Sequence, residues 1–282
     1  MIIEKKDIII EGKHQKPILM DVFYDDQKKE QPIIIFCHGY KGFKDWGAWD
    51  LVANTFAEAG FFFVKFNFSH NGGTIQQPID FPDLEAFGNN NYIKELDDLT
   101  SVLDYIIAPN FECKQLINQD NVTLIGHSRA GGITTIKTSE DARITKLITW
   151  AGVSDYEQRF PKGTAFQTWK NEGIYYIENG RTKQQMPHYF QFYTSFIENK
   201  ERLTISNATK KIEVPHLIVH GTTDTTVSLK EAENLHSWNP KSELFLVKGA
   251  DHVFGAKHPW KQKEMPKDLA TITEKTIAFA IL

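Results

Sequence analysis

A serine, an aspartate and a histidine, each just past the end of an apolar run, are the residues whose types and order could do covalent chemistry in this chain. The serine stands in Gly126-His127-Ser128-Arg129-Ala130-Gly131-Gly132, directly after the run Asn121-Val122-Thr123-Leu124-Ile125. Where a strand turns sharply into a helix, a serine is pushed clear of the backbone, and the next amide can face a developing oxyanion. Small residues belong around such a turn because the helix returns close to the strand. Gly126 precedes Ser128 by two positions but Ala130 follows it by two, so the pattern is G-x-S-x-A in place of G-x-S-x-G. A motif this short also arises as a plain packing turn, so its partners decide its meaning.

A hydroxyl is a poor nucleophile until a base takes its proton, and the base needs a third group that fixes its tautomer and supports the imidazolium. In strand-turn-helix sheets these groups follow in the order serine, acid, histidine. The run His216-Leu217-Ile218-Val219-His220-Gly221 reads as a buried strand, with Asp224 beyond its carboxyl end. Glu243-Leu244-Phe245-Leu246-Val247-Lys248 reads as the next strand, and His252 follows it. Asp224 is the expected acid and His252 the expected base, both at the edge of an open sheet where ligand crevices form. Loop aspartates usually shape turns or cap helices, and Asp224 could serve only the helix expected near Ser228. Asp155, past Val153, is the rival acid and ranks below Asp224 on chain order. Asp251, adjacent to the base, is expected to stabilise its own loop.

Upstream, Pro32-Ile33-Ile34-Ile35-Phe36-Cys37 suits a strand buried on both faces and ends in His38-Gly39-Tyr40-Lys41-Gly42. Glycine lets the backbone turn there without a Cβ penalty, so the Tyr40 amide can point at the same oxygen as the Arg129 amide. Two such donors make an oxyanion hole. His38 itself is expected to bond to backbone.

In these motifs the chain resembles the alpha/beta-hydrolase family, with His38-Gly39 as oxyanion turn, Gly126-His127-Ser128-Arg129-Ala130 as nucleophile elbow, Asp224 as acid and His252 as base. Within that family, Phe66-Asn67-Phe68-Ser69-His70-Asn71-Gly72, the turn His38 to Phe43 and Gly249-Ala250-Asp251-His252 are similar to bacterial cinnamoyl (feruloyl) esterases and related small carboxylesterases. The resemblance runs from about residue 18 to the end. It implies one domain over residues 1–282, with a mostly parallel central sheet of about eight strands, helices on both faces and a helical or loop cap inserted at about 154–211. It also implies a serine hydrolase that cleaves small-molecule carboxylic esters through an acyl-enzyme, without a cofactor. A serine peptidase of aminopeptidase or prolyl-oligopeptidase type, or a thioesterase, would use the same triad. A peptidase would need groups that recognise a peptide terminus, and Glu172, Glu178 and Glu198 of the cap are available for that. A ligand receptor on the same scaffold would bind without turnover.

Composition narrows the classes further. At 282 residues and 41% hydrophobic content the chain can bury one large core. A net charge of −4 offers no basic surface for phosphates, which speaks against nucleic acid as a partner. No apolar stretch approaches the ~18 residues that would span a bilayer. The amino terminus Met1 to Ile10 carries charges in mid-stretch and reads as an edge strand of a cytoplasmic protein. Cys37 and Cys113 have the spacing of neither a zinc site nor a redox pair, there is no H-E-x-x-H pattern, and no metal is implied. Cys37 reads as a core residue beneath the oxyanion turn.

The remaining elements must position these groups. Strands are expected around Lys6–Ile10, Ile18–Tyr24 and Phe61–Phe68, and helices over Trp46–Ala59, Asn91–Ala108, after Ser128, around Leu229–Ser237 and from Pro266. Residues 72–90 read as a long polar loop bordering the site, with Asp83 and Glu85 solvated. Residues 154–211 interrupt the alternation and are dense in aromatics; Trp169, Tyr189 and Tyr193 are candidates for a substrate-binding wall, although most such rings serve only to glue an insertion to the sheet.

Overall fold

The computed structural model describes residues Met1–Leu282. Two strands, β1 (Ile2–Glu11) and β2 (Pro17–Asp25), open the chain and are followed by β3 (Gln31–Cys37), β4 (Phe62–Asn67), β5 (Ile117–His127) and β6 (Ile144–Trp150). After a hairpin of β7 (Ile174–Glu178) and β8 (Gln185–Tyr189) come β9 (His216–Gly221) and β10 (Glu243–Val247). The main sheet has the order β1-β2-β4-β3-β5-β6-β9-β10. Only β2 runs against its neighbours; every other adjacent pair is parallel. The parallel strands therefore deliver their carboxyl ends, Cys37, His127, Trp150, Gly221 and Val247, to one rim.

Runs without polar alternation suit strands covered on both faces, and the side-chain period of two sorts them into two cores. Ile33, Ile35, Val64 and Leu124 pack on one face under the helices Tyr92–Ile107, Arg129–Glu140 and Leu229–Trp238. Ile34, Phe36, Phe63 and Ile125 pack on the other, under Trp49–Glu58 and Lys267–Ile281. Helix Tyr92–Ile107 begins where the Asn91 side chain accepts from the Lys94 amide at 2.9 Å. It buries Leu96, Leu99, Val102, Leu103 and Ile106 completely. At roughly 1.5–3 kcal/mol each, this stripe contributes on the order of 10 kcal/mol before conformational entropy is subtracted. No helix is long and apolar enough to cross a membrane.

Two stretches differ from the sequence expectation. Residues 72–90 are not all loop: Leu84–Gly88 is a short helix whose Asp83 cap accepts from the Ala86 amide and also pairs with Lys16 at 2.5 Å. Phe81 and Phe87 are buried with Phe43 and Met186 in a small core, which a polar-loop reading overlooks. Asp83 and Glu85 are accordingly not merely solvated, since Glu85 accepts a hydrogen bond from the Tyr189 hydroxyl. The insertion between β6 and β9, expected as helix and loop, also contains the antiparallel hairpin β7-β8. Its β-branched and aromatic run Ile174-Tyr175-Tyr176-Ile177 favours a strand.

A buried ionic cluster lies under β2 and β4. The Lys65 ammonium sits 2.8 Å from Asp21 and 2.7 Å from Asp50, and that of Lys44 sits 2.9 Å from Asp21 and 2.7 Å from Asp45. Burial pushes Lys65 toward the neutral form, but the three carboxylates outweigh it and hold the amine above its ordinary value.

Candidate active site

Ser128 occupies the turn between β5 and the helix Arg129–Glu140 with φ 57° and ψ −121°, a conformation that L-residues rarely adopt. The turn is held over-determined: the Ser128 amide donates to Trp150 O at 2.9 Å, and Ser128 O accepts from Gly131 and Val153 at 2.9 and 3.1 Å. Gly126 is required because a Cβ there would enter Thr134 Oγ1 and the Ala130 carbonyl. Ala130, the departure from the G-x-S-x-G pattern, is accommodated fully buried against the core.

The rim brings the three predicted side chains together. His252 Nε2 lies 3.0 Å from Ser128 Oγ, and His252 Nδ1 lies 2.8 Å from Asp224 Oδ2. The second oxygen, Asp224 Oδ1, accepts from the Thr226 and Val227 amides at 2.8 and 2.9 Å. Burial pushes the Asp224 carboxyl up, but the His252 bond and the two amides outweigh it and keep the group below its ordinary value. Asp224 thus shapes its turn and also faces the imidazole. Asp155 does neither for His252; its Oδ1 accepts from the Glu157 and Gln158 amides. Asp251 binds within its own loop, accepting from Val253 and Gly255 at 3.1 and 2.8 Å. The His252 carbonyl accepts from His127 Nε2 at 3.0 Å, and burial drives His127 down to about 3, so this ring is neutral and donates once.

The turn after β3 runs against the serine. A Cβ on Gly39 would lie 2.8 Å from Ser128 Cβ, so only glycine lets Tyr40 approach so closely. The Tyr40 amide donates to no group of the protein. The Arg129 amide, first in its helix, has no acceptor within that helix. His38 is buried and backbone-bonded: its Nε2 accepts from the Phe68 amide and Nδ1 donates to Gly39 O at 2.9 Å, with burial lowering it to about 4. Cys37 is fully buried, and burial pushes its thiol up, away from reactivity.

Two cavities meet at Ser128 and Tyr40. One, of about 120 Å³, is lined by His252, Val253, His127, Lys41, Trp46 and Trp49. The other, of about 210 Å³, is bounded by Tyr92, Tyr175, Ile177 and Phe192, with Arg129, Arg159, His188 and Thr226 among its polar groups. No aspartate or glutamate lines either.

Trp169, Tyr189 and Tyr193 lie outside both linings, which corrects their expected place on the wall. Trp169 is fully buried behind it, donating from Nε1 to His188 O at 2.8 Å. Tyr193 packs on Phe166 with ring centroids 4.7 Å apart, and Tyr189 lies against Gly88. Most insertion rings act as glue, as Tyr156 does by stacking on Tyr92 at 3.7 Å and donating to Arg129 O. Of the residues that do line the larger cavity, Ser128, Tyr40 and Arg129 are expected at the site from the sequence, whereas Tyr92, Arg159 and His188 are not. One signal was present: Glu95 interrupts the otherwise apolar stripe Tyr92, Leu99, Val102, Ile106, and it is the ion-pair partner of the Arg129 side chain at 2.9 Å.

A sheet with one reversed strand near its edge and a strained serine at the end of a central strand define an alpha/beta hydrolase. Solved structures agree with that fold. Est1E from Butyrivibrio proteoclasticus superposes with a TM-score of 0.70 at 14% identity over 98% of each chain. A putative hydrolase from Agrobacterium vitis S4 does so at 0.71 with 16% identity over 99% of each. The esterase domain of a Rhodothermus marinus protein gives 0.65 at 15% identity, over 99% of this chain and 98% of that one. The chain belongs to the prolyl oligopeptidase family, whose model matches residues 48–269. No curated protein matches the sequence.

Proposed function

We propose that the chain is a serine hydrolase that cleaves carboxylic esters of small molecules through an acyl-enzyme on Ser128. The observation that carries this reading is the continuous hydrogen-bond chain from Ser128 Oγ through His252 to Asp224, at 3.0 and 2.8 Å. With Nδ1 donating to Asp224, the free Nε2 lone pair faces the hydroxyl and takes its proton as Ser128 attacks the ester carbonyl. The amides of Tyr40 and Arg129 hold the oxyanion; His252 then returns the proton to the departing alcohol, and water repeats the sequence on the acyl-enzyme.

Family membership keeps a serine peptidase as the second reading. A peptidase that grips a free amino terminus needs a carboxylate in the cavity, and neither lining holds one. Glu172, Glu178 and Glu198 are exposed and line neither cavity. That contrast favours the ester. Est1E is known with ferulic acid bound, and the aromatic lining here is compatible with an aryl acyl group of the cinnamoyl type. The test is a panel of nitrophenyl esters of increasing chain length, methyl ferulate and aminoacyl anilides, run on the native protein and Ser128→Ala. Ester turnover that disappears with Ser128 supports the proposal. Anilide turnover exceeding ester turnover would transfer it to the peptidase reading.

A further inference from the structure

The two cavities differ in one respect that assigns them. His252 must hand its proton to the leaving oxygen, so the departing alcohol lies in the cavity that His252 lines. The acyl chain then enters the other, which lacks His252. This assignment rests on Ser128 being the nucleophile.

The acyl cavity is lined mainly by apolar and aromatic side chains, with Ser128, Thr226, His188 and two arginines among them. The Arg129 side chain is only 12% exposed, with its guanidinium over Tyr92 at 4.8 Å and Phe192 at 5.0 Å. Its Nη2 is held by Glu95 Oε1 at 2.9 Å and its Nε is sealed from solvent, whereas Nη1 is not among the sealed atoms and makes no hydrogen bond within the protein. A guanidinium offers five donors, and buried donors are normally satisfied, because leaving each unmet costs about 1–3 kcal/mol. A structural arginine would be paired off by its surroundings. Here one carboxylate grips Nη2, Asn90 in turn donating to that carboxylate at 2.8 Å, and Nη1 is the donor left for the cavity that Arg129 lines. Arg159 also lines the wall, its charge shared with Glu231 behind it, and no acidic side chain lines the cavity. A guanidinium donor of this kind suits a carboxylate through a charge-assisted hydrogen bond.

We propose that this cavity selects acyl groups that end in a carboxylate, read by the Arg129 guanidinium, so that half-esters of short dicarboxylic acids are the preferred substrate class. A neutral acyl group of the same length leaves Nη1 unpaired and gains nothing from the charge. Glu95 competes with the incoming carboxylate and tempers the preference.

The experiment compares kcat/KM for the monomethyl esters of succinic, glutaric and adipic acids with methyl esters of fatty acids of matching length, as a ratio measured on one protein. The ratio cancels differences in folding or oxyanion geometry between variants. The native ratio is expected to exceed unity at the best length. Arg129→Met should lower it by about tenfold to a hundredfold, the range of a charge-assisted hydrogen bond, and Glu95→Gln should raise it. A native ratio at or below unity, or one unchanged in Arg129→Met, overturns the proposal. Should Arg129→Met fail to fold, inhibition of the native protein decides: free glutarate must inhibit more strongly than pentanoate, and equal or weaker inhibition overturns the idea. Turnover of neutral esters through Ser128 without any carboxylate preference sinks this inference alone, whereas no ester turnover at all sinks the proposed function.

Discussion

Replacing Asp224 by asparagine separates orientation of the imidazole from preservation of the loop. Asp224 Oδ1 accepts from the Thr226 and Val227 amides, so an asparagine in the same rotamer must put its carbonyl oxygen there to keep those two bonds. Its NH₂ then takes the place of Oδ2, 2.8 Å from His252 Nδ1. Two donors cannot face each other, so Nδ1 gives up its proton and the imidazole carries it on Nε2, toward Ser128 Oγ. A base that is already protonated on the reacting nitrogen cannot take the serine proton. In a Ser-His-Asp triad this trapping lowers kcat by about 10⁴, equivalent to roughly 5.5 kcal/mol of barrier. Because both loop amides keep an acceptor, folding stability should change by no more than about 2 kcal/mol. The assay is kcat on a nitrophenyl ester at pH 7 beside a thermal unfolding curve for each protein. Asp224→Asn that remains folded and turns over within tenfold of native would refute the tautomer argument.

Other consequences follow from the same geometry. Burial raises the Asp98 carboxyl to about 7, partly offset by the Ser69 amide that it accepts from at 2.8 Å. Because this folded value lies above the unfolded one, the native state binds the proton more tightly, and the stabilisation is complete below about pH 4 and lost as pH rises through 7. The loss is on the order of 4 kcal/mol. Denaturant unfolding across pH 4–7 should show a slope that Asp98→Asn flattens, and identical slopes would contradict it. Gly126→Ala drives a methyl into Thr134 and the Ala130 carbonyl; it should destabilise by about 1–3 kcal/mol or more and misplace Ser128, seen as a lower unfolding midpoint together with lower kcat. Trp169→Ala should destabilise by about 3–5 kcal/mol and, by releasing the His188 carbonyl from behind the acyl cavity, raise KM more than it lowers kcat.

The rim of the sheet was legible because β3 and β9 are nearly continuous apolar runs, and β5 and β6 finish in buried, largely apolar stretches, so their ends mark where loops must emerge. With those ends located, chain order alone brought Ser128, Asp224 and His252 to one edge. The hairpin β7-β8 was hidden because a five-residue strand in an aromatic stretch has no period long enough to tell it from helix. The cavity lining was hidden for another reason. Tyr92 and Arg129 lie on two helices, Tyr175 and His188 on the hairpin, and their meeting depends on how the insertion folds over the rim. Trp169 illustrates the limit: a large ring in a cap suggests contact with substrate, but its size also makes it the best filler, and it is fully buried behind the wall. The Lys44 and Lys65 cluster escaped notice because Asp21, Asp45 and Asp50 come from three separate elements and loops.

The most direct measurement of the central claim is covalent trapping. Native protein treated with a fluorophosphonate, digested and mapped by mass spectrometry should carry one adduct per chain on the peptide containing Ser128, with esterase activity lost in proportion and His252→Ala labelled far more slowly. An adduct on any other residue, or full ester turnover after Ser128 is blocked, would contradict the account.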